Sequence, residues 1–128
     1  MARGYLCEAV YYRRVPQETE RECSLALKLI KVYPSKLSLK SLYHLHAILG
    51  DTYKNSLNKY PEAIEQYNAM LSFPGLAPQD KCDLLLARAD TQSALGKTPE
   101  AALDLNEASA VCANAADLDY IRKRQSPR

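Results

Sequence analysis

The sequence contains one short segment twice, and each copy has the residues with which one helix ends and another begins. Residues 96–101 read Gly-Lys-Thr-Pro-Glu-Ala, and residues 58–63 read Asn-Lys-Tyr-Pro-Glu-Ala. Gly96 can adopt the left-handed conformation that ends a helix, Thr98 can cap the next helix, and Pro99 suits the first helical position. We therefore expect a tight corner between two helices at each segment, and two corners of one kind indicate an internal repeat.

Apolar residues recur with helical spacing on both sides of each corner. Before the corners are the apolar runs of residues 45–53 and 84–90, and the two Pro-Glu-Ala segments lie 38 residues apart. Each unit therefore reads as helix, tight turn, helix. The faces that follow the corners hold Ala63, Tyr67 and Met70 in one copy and Ala101, Leu105 and Ala108 in the other.

This pattern resembles the tetratricopeptide repeat (TPR) family, whose units are helix pairs of about 34 residues. The family pattern has a small residue where the two helices cross, an aromatic residue one turn later, and a ladder of small and aromatic residues on the second helix. The resemblance covers about residues 39–112, and the first copy carries extra residues in its turn. The matching positions are Gly50, Tyr53, Ala63 and Tyr67 in one copy and Ala89, Gly96, Ala101, Leu105 and Ala108 in the other. A preceding unit would place Cys23, Leu27 and Ile30 on the ladder.

The resemblance implies an all-α fold, a right-handed solenoid of about three helical hairpins with a C-terminal capping helix. Such arrays need a cap because an uncovered end repeat leaves its apolar face in water. We expect one domain over residues 1–124, followed by a tail at 125–128. Its parts are a degenerate repeat at 1–35, repeats at 39–73 and 78–113, and the capping helix at 115–124.

Composition argues for an ordinary folded domain. Hydrophobic residues make up 47% and charged residues 25% of the chain, and the net charge is only +2, so no overall field favours nucleic acid or a membrane surface. The four cysteines lack C-x-x-C spacing. We expect them to pack in the core of a cytoplasmic protein, with a nuclear location as the alternative, and we favour a zinc site or disulfides less. We expect no cofactor, no metal and no membrane contact.

In the resembling family, the inner face of the first helix of each pair binds a partner. The corresponding positions here are His44, Ala47, Asp51, Lys54, Asp83, Leu86, Ala87 and Asp90. Asp51, Asp83 and Asp90 would form an acidic strip, which repels a carboxylate terminus and attracts a basic or amphipathic peptide or helix. His44 and His46 are two residues apart and point away from each other on a helix, so they are not a metal pair.

The sequence thus favours a non-enzymatic interaction module or adaptor that binds a peptide or helix of another protein, as part of a larger assembly. It contains no phosphate-binding glycine loop, metal-ligand spacing or nucleophile motif. Two alternatives stay open. One is a helical repeat that binds RNA, which the inner carboxylates disfavour. The other is a small structural subunit that docks end-on in a complex, through tyrosines near the chain ends.

Overall fold

The structure is a computed structural model, and it describes residues 7–9, 11–32 and 39–125. All regular elements in these ranges are helical, which confirms the predicted all-α class. None of the helices in the described ranges has the length and apolar character that crossing a membrane requires. After a short helical stretch at residues 7–9 and 11–12, the helices are α1 (Pro16–Val32), α2 (Leu39–Asp51), a π-helix (Thr52–Ser56), α3 (Tyr60–Leu71), α4 (Pro78–Ala94), α5 (Thr98–Val111) and α6 (Ala115–Gln125).

The chain divides into two compact units, Met1–Phe73 and Pro74–Arg128. In the first unit, α1 packs against α2 and the π-helix, and α2 packs against α3. In the second unit, α4 packs against α5, and α5 packs against α6. The division falls between the repeats predicted at 39–73 and 78–113.

The two predicted corners have closely similar backbones. Gly96 and Asn58 both adopt the left-handed conformation, with φ of 77° and 54°. The next residue is a lysine with φ and ψ of −87° and 67° at Lys97 and of −95° and 76° at Lys59. Thr98 is not the cap that the sequence suggested: it is the first helical residue, and Lys97 precedes it with no side-chain capping bond. Pro99 accordingly lies second in the helix rather than first.

A third corner of the same kind precedes α1, and the sequence pattern did not reveal it. Arg14 is left-handed, with φ of 62°, and Val15 precedes the helix that begins at Pro16. The carbonyl of Val15 accepts a bond of 2.9 Å from the N–H of Thr19. The same first bond, 3.0 Å long, joins Ala63 to Lys59 and Ala101 to Lys97.

The third corner corrects the predicted ladder of the N-terminal unit. Thr19 occupies the position of Ala63 and Ala101, so the ladder is Thr19, Cys23 and Ala26, all of which are buried. Leu27 and Ile30, which the sequence placed there, are only half-buried. The predicted ladder begins one helical turn late because Thr19 is polar and does not fit an apolar pattern; its hydroxyl donates to the Val15 carbonyl at 2.9 Å.

The π-helix accounts for the extra residue in the middle helix pair. Gly50 lies eight residues before the left-handed Asn58, whereas Ala89 lies seven before Gly96. A π-helix closes its bonds over five residues rather than four, and the N–H of Leu57 donates to the carbonyl of Thr52 at 3.0 Å. The inserted residue therefore widens one helical turn directly after α2, which ends at Asp51.

The helices of the middle pair cross closely at Gly50. A Cβ atom at this glycine would lie 2.9 Å from Cε1 of Tyr67, and the Tyr67 hydroxyl lies 3.4 Å from the Gly50 carbonyl, to which it donates. Only a residue without a side chain permits this approach. The other residues that the resemblance assigned to packing are buried, except for the turn residue Gly96: they are Tyr53, Ala63, Ala89, Ala101, Leu105 and Ala108.

The cysteines overturn the expectation of free thiols. Two disulfides are present, Cys7–Cys23 and Cys82–Cys112. Each joins the two arms of one helical hairpin, so cysteines 16 and 30 residues apart in sequence become neighbours. Sequence spacing alone does not reveal such pairs. The argument from free thiols for a reducing, cytoplasmic compartment therefore no longer applies.

Candidate interaction surface

In the first unit, the predicted binding residues lie on α2 and the π-helix that follows it. Ala47, Asp51 and Lys54 are half-buried, and His44 is exposed. Nε2 of His44 lies 2.7 Å from a carboxylate oxygen of Glu8, in the short N-terminal helical stretch. These residues therefore lie beside that stretch, with polar and small apolar side chains interleaved.

Asp51 is oriented by two side-chain donors. The hydroxyl of Tyr11 donates to one carboxylate oxygen at 2.8 Å, and Nδ2 of Asn55 donates to the other at 2.6 Å. The pKa of Tyr11 is raised to about 12, chiefly by burial and also by the hydrogen bond to Asp51, because a tyrosinate beside a carboxylate would be unfavourable. Tyr11 therefore stays protonated and donates across the physiological pH range.

In the second unit, the predicted residues lie on α4. Asp83 is exposed, and Leu86, Ala87 and Asp90 are half-buried. Nε2 of Gln79 donates to Asp83 at 2.9 Å and lies 3.1 Å from a carboxylate oxygen of Asp117 in α6. Asp83 thus offers the most accessible carboxylate of the three that the sequence singled out.

Asp90 has partners on α6. The Tyr120 hydroxyl lies 2.6 Å from both of its carboxylate oxygens and donates to them, and Nε of Arg124 lies 3.2 Å from one. The Arg124 guanidinium also lies over the Tyr120 ring, 4.2 Å from its centroid. Burial raises the pKa of Tyr120, and the hydrogen bond to Asp90 adds to the rise. Arg124 partly neutralises the carboxylate.

Asp51 and Asp90 are equivalent positions, each directly after the small residue at a helix crossing, Gly50 and Ala89. In each unit, a tyrosine from a different helical segment donates to this aspartate. The sequence predicted that both aspartates belong to an acidic strip, and it did not predict these hydrogen bonds. Tyr11 and Tyr120 were both among the tyrosines near the chain ends, but nothing in the sequence connected either one to an aspartate.

The sequence also gave no sign of an ion pair between α4 and α5. Arg88 donates from Nε and from a terminal nitrogen to the two oxygens of Asp104, at 2.8 and 2.7 Å. Asp104 is buried, and its hydrogen bond raises the pKa of Arg88. This bidentate ion pair joins α4, the helix that carries Asp83 and Asp90, to α5.

In each unit, the predicted positions combine carboxylate acceptors with apolar side chains. A carboxylate that a tyrosine hydroxyl orients keeps further lone pairs for N–H donors. The half-buried Ala47, Leu86 and Ala87 add apolar contact area next to the carboxylates.

Comparison of the chain with protein-family models, with curated proteins and with solved structures finds no match.

Proposed function

We propose that this chain is a non-enzymatic interaction module whose helix pairs stack as a TPR-like right-handed solenoid, and that it binds a basic or amphipathic peptide or helix of a partner protein. One observation carries the proposal: the equivalent carboxylates of Asp51 and Asp90 are each oriented by a tyrosine. Acceptors fixed before binding lose little side-chain entropy when a partner arrives, so they favour directional recognition of cationic groups.

The exposed carboxylate of Asp83 extends this chemistry on α4. Because exposed charge pairs contribute only about 0–1 kcal/mol each, the acidic groups set the orientation and association rate of the partner. Apolar side chains inserted beside Leu86 and Ala87 supply most of the affinity. A partner helix with both lysine or arginine and leucine-like residues satisfies both requirements.

Two other functions have different support. End-on docking as a structural subunit is favoured by Tyr12, which is 68% exposed and lies edge-on to Tyr11 with ring centroids 5.3 Å apart. Tyrosine is common in protein interfaces because it combines an apolar ring with a polar end. RNA binding is disfavoured, since Asp51, Asp83 and Asp90 would repel phosphates.

The test uses a pair of synthetic helical peptides, one with a leucine face and lysine or arginine elsewhere, the other with glutamate at those basic positions. Fluorescence anisotropy should show that the wild-type chain binds the basic peptide, with an affinity that falls as salt rises, and does not bind the acidic one. Asp83→Lys should weaken binding by about fivefold to tenfold, roughly 1–1.4 kcal/mol. Glu65→Lys on α3 makes the same change in net charge away from the predicted positions and should leave the affinity almost unchanged.

Equal affinity and an equal salt dependence for wild type and Asp83→Lys would remove this surface from the proposal. In that case, end-on docking would be tested by crosslinking wild type and Tyr12→Ala to a partner within a complex. The Tyr12→Ala variant should recover less of that partner than wild type. Asp90→Asn provides a milder variant of the second carboxylate, because it keeps an acceptor for Tyr120 while it removes the charge.

A further inference from the structure

The disulfide of the second unit lies against a carboxylate. Sγ of Cys82 is 3.6 Å from Oδ2 of Asp117, and the two sulfurs and this carboxylate lie within 4.8 Å of one another. Both cysteines are buried, and Asp117 is partly exposed. A disulfide sulfur carries no proton, so the close approach of Asp117 is not a hydrogen bond in the oxidised protein.

We propose that, once this disulfide is reduced, Cys82, Cys112 and Asp117 bind a thiophilic divalent cation of the Zn²⁺ class. Thiolate sulfur and carboxylate oxygen are both zinc ligands, and the three negative charges of this set exceed the charge of the cation by one. Water completes the tetrahedron, because Asp117 opens toward solvent. The disulfide and the metal are then alternative states of one site.

The site spans three segments of the second unit. Cys82 lies in α4, Cys112 directly follows α5, and Asp117 lies in the first turn of α6. Gln79 donates to the same oxygen of Asp117 at 3.1 Å, which orients this carboxylate, as groups behind metal ligands commonly do. A metal here would replace the covalent link between α4 and the end of α5 and would add a link to α6.

The electron balance is simple. Reduction breaks the S–S bond with two electrons and two protons. A dithiol supplies both and becomes a disulfide, whereas a phosphine supplies the electrons and becomes its oxide, with water supplying the oxygen and both protons. Metal binding then displaces the two thiol protons. In the reverse direction, a low-molecular-weight disulfide accepts two electrons from the bound thiolates. The S–S bond of the protein forms again, and two small thiolates and the metal ion are released.

The other disulfide provides an internal control. Among the described residues, a single group of three side chains could hold a metal ion, namely Cys82, Cys112 and Asp117. The Cys7–Cys23 disulfide belongs to no such group in that part of the chain. Removal of Cys7 should therefore leave metal binding in place, whereas removal of Cys82 should abolish it.

The full chain is first reduced by a phosphine and desalted in the absence of oxygen. It is then titrated with Co²⁺, and the bound cobalt is displaced with Zn²⁺. Thiolate-to-cobalt charge transfer should appear at one equivalent for wild type and for Cys7→Ser, and should be absent for Cys82→Ser and for the oxidised protein. Asp117→Asn should weaken the affinity at least about tenfold. Melting followed by circular dichroism should show that Zn²⁺ raises the Tm of the reduced wild type and not that of Asp117→Asn.

Equal Co²⁺ affinity for wild type and Asp117→Asn would overturn the site, since the carboxylate would then not be a ligand. Equal binding by Cys82→Ser would overturn it as well. If the reduced chain unfolds and Zn²⁺ does not restore its helicity, no such site exists in the folded hairpin, and the proposal fails. None of these outcomes affects peptide binding, which is measured on the oxidised protein.

Discussion

Cys7 and Cys23 form a disulfide in the first helix pair. It occupies the position that the contact between Gly50 and Tyr67 occupies in the second helix pair. Cys7 lies seven residues before the left-handed Arg14, and Cys23 lies four residues after the small ladder residue Thr19, as Tyr67 does after Ala63. A covalent bond thus occupies the position at which the other pair uses a glycine against an aromatic ring.

This placement predicts the cost of removing the first disulfide. The Cys7→Ala, Cys23→Ala double variant should lose about 2–4 kcal/mol of unfolding free energy, because a bond across 16 residues restricts the unfolded chain. Urea unfolding of the oxidised proteins measures the difference. A loss below about 1 kcal/mol would contradict this reasoning, because it would mean that the bond hardly restricts the unfolded chain.

The crossing at Gly50 predicts an unusual response to alanine. In an open helix, Gly→Ala gains up to about 1 kcal/mol, but here the new Cβ would lie 2.9 Å from the buried Tyr67 ring. We expect Gly50→Ala to lower the unfolding free energy by about 1–2 kcal/mol. In a Tyr67→Leu background, the same substitution should become neutral or stabilising, and purely additive effects in this double-mutant cycle would contradict the contact.

Two adjacent alanines of α5 test the predicted register. Ala101 is buried and Ala102 is exposed. Ala101→Leu should cost about 1–3 kcal/mol by overpacking, as should Ala63→Leu at the equivalent position, whereas Ala102→Leu should change little. Thermal melts compare the three, and equal effects would show that the helix faces are wrongly assigned.

The corners were predictable because each depends on a few adjacent residues. Gly96 and Asn58 are among the residues that adopt left-handed backbone most readily, and a proline followed by an acidic residue, as in Pro-Glu-Ala, is typical of the first turn of a helix. The corner at Arg14 was not predicted, because nothing in the adjacent sequence marks an arginine that adopts a positive φ.

The contacts between helices were not predictable in the same way. Whether Tyr11 contacts Asp51, or Arg88 contacts Asp104, depends on how two helices are rotated against each other. A single sequence indicates which face of a helix is apolar, but it does not indicate which polar residues of a neighbouring helix contact that helix. The binding positions were thus assigned through the repeat register, and their hydrogen-bond partners became visible only in the structure.

The ion pair between α4 and α5 predicts a large penalty for losing one partner. The side chain of Asp104 is 6% exposed and that of Arg88 is 22% exposed. Asp104→Ala should cost about 3–5 kcal/mol, because it leaves the Arg88 charge largely buried and without its carboxylate. Arg88→Met combined with Asp104→Leu should recover much of this loss. The control is Asp119→Ala, which removes the exposed pairs with Arg122 and Lys123 in α6 and should cost under about 1 kcal/mol.

The hydrogen bond from Tyr11 to Asp51 predicts how stability changes at high pH. The pKa of Tyr11 is raised from 10.0 to about 12 in the folded protein, chiefly by burial, so the native state retains this proton more strongly than the unfolded chain. Its contribution is therefore fully present below pH 10 and is lost as the pH rises through 12.

Urea unfolding of wild type and Tyr11→Phe between pH 9 and 12 isolates this contribution, because the other titrating groups are common to both proteins. Wild type should be the more stable at pH 9, and its advantage should shrink between pH 10 and 12. Asp51→Asn should lower the pKa of Tyr11 without returning it to 10.0, since burial, the larger cause, remains. An advantage that stays constant up to pH 12 would show that Tyr11 ionises equally in the folded and unfolded chains, and the orientation of Asp51 by this tyrosine would have to be abandoned.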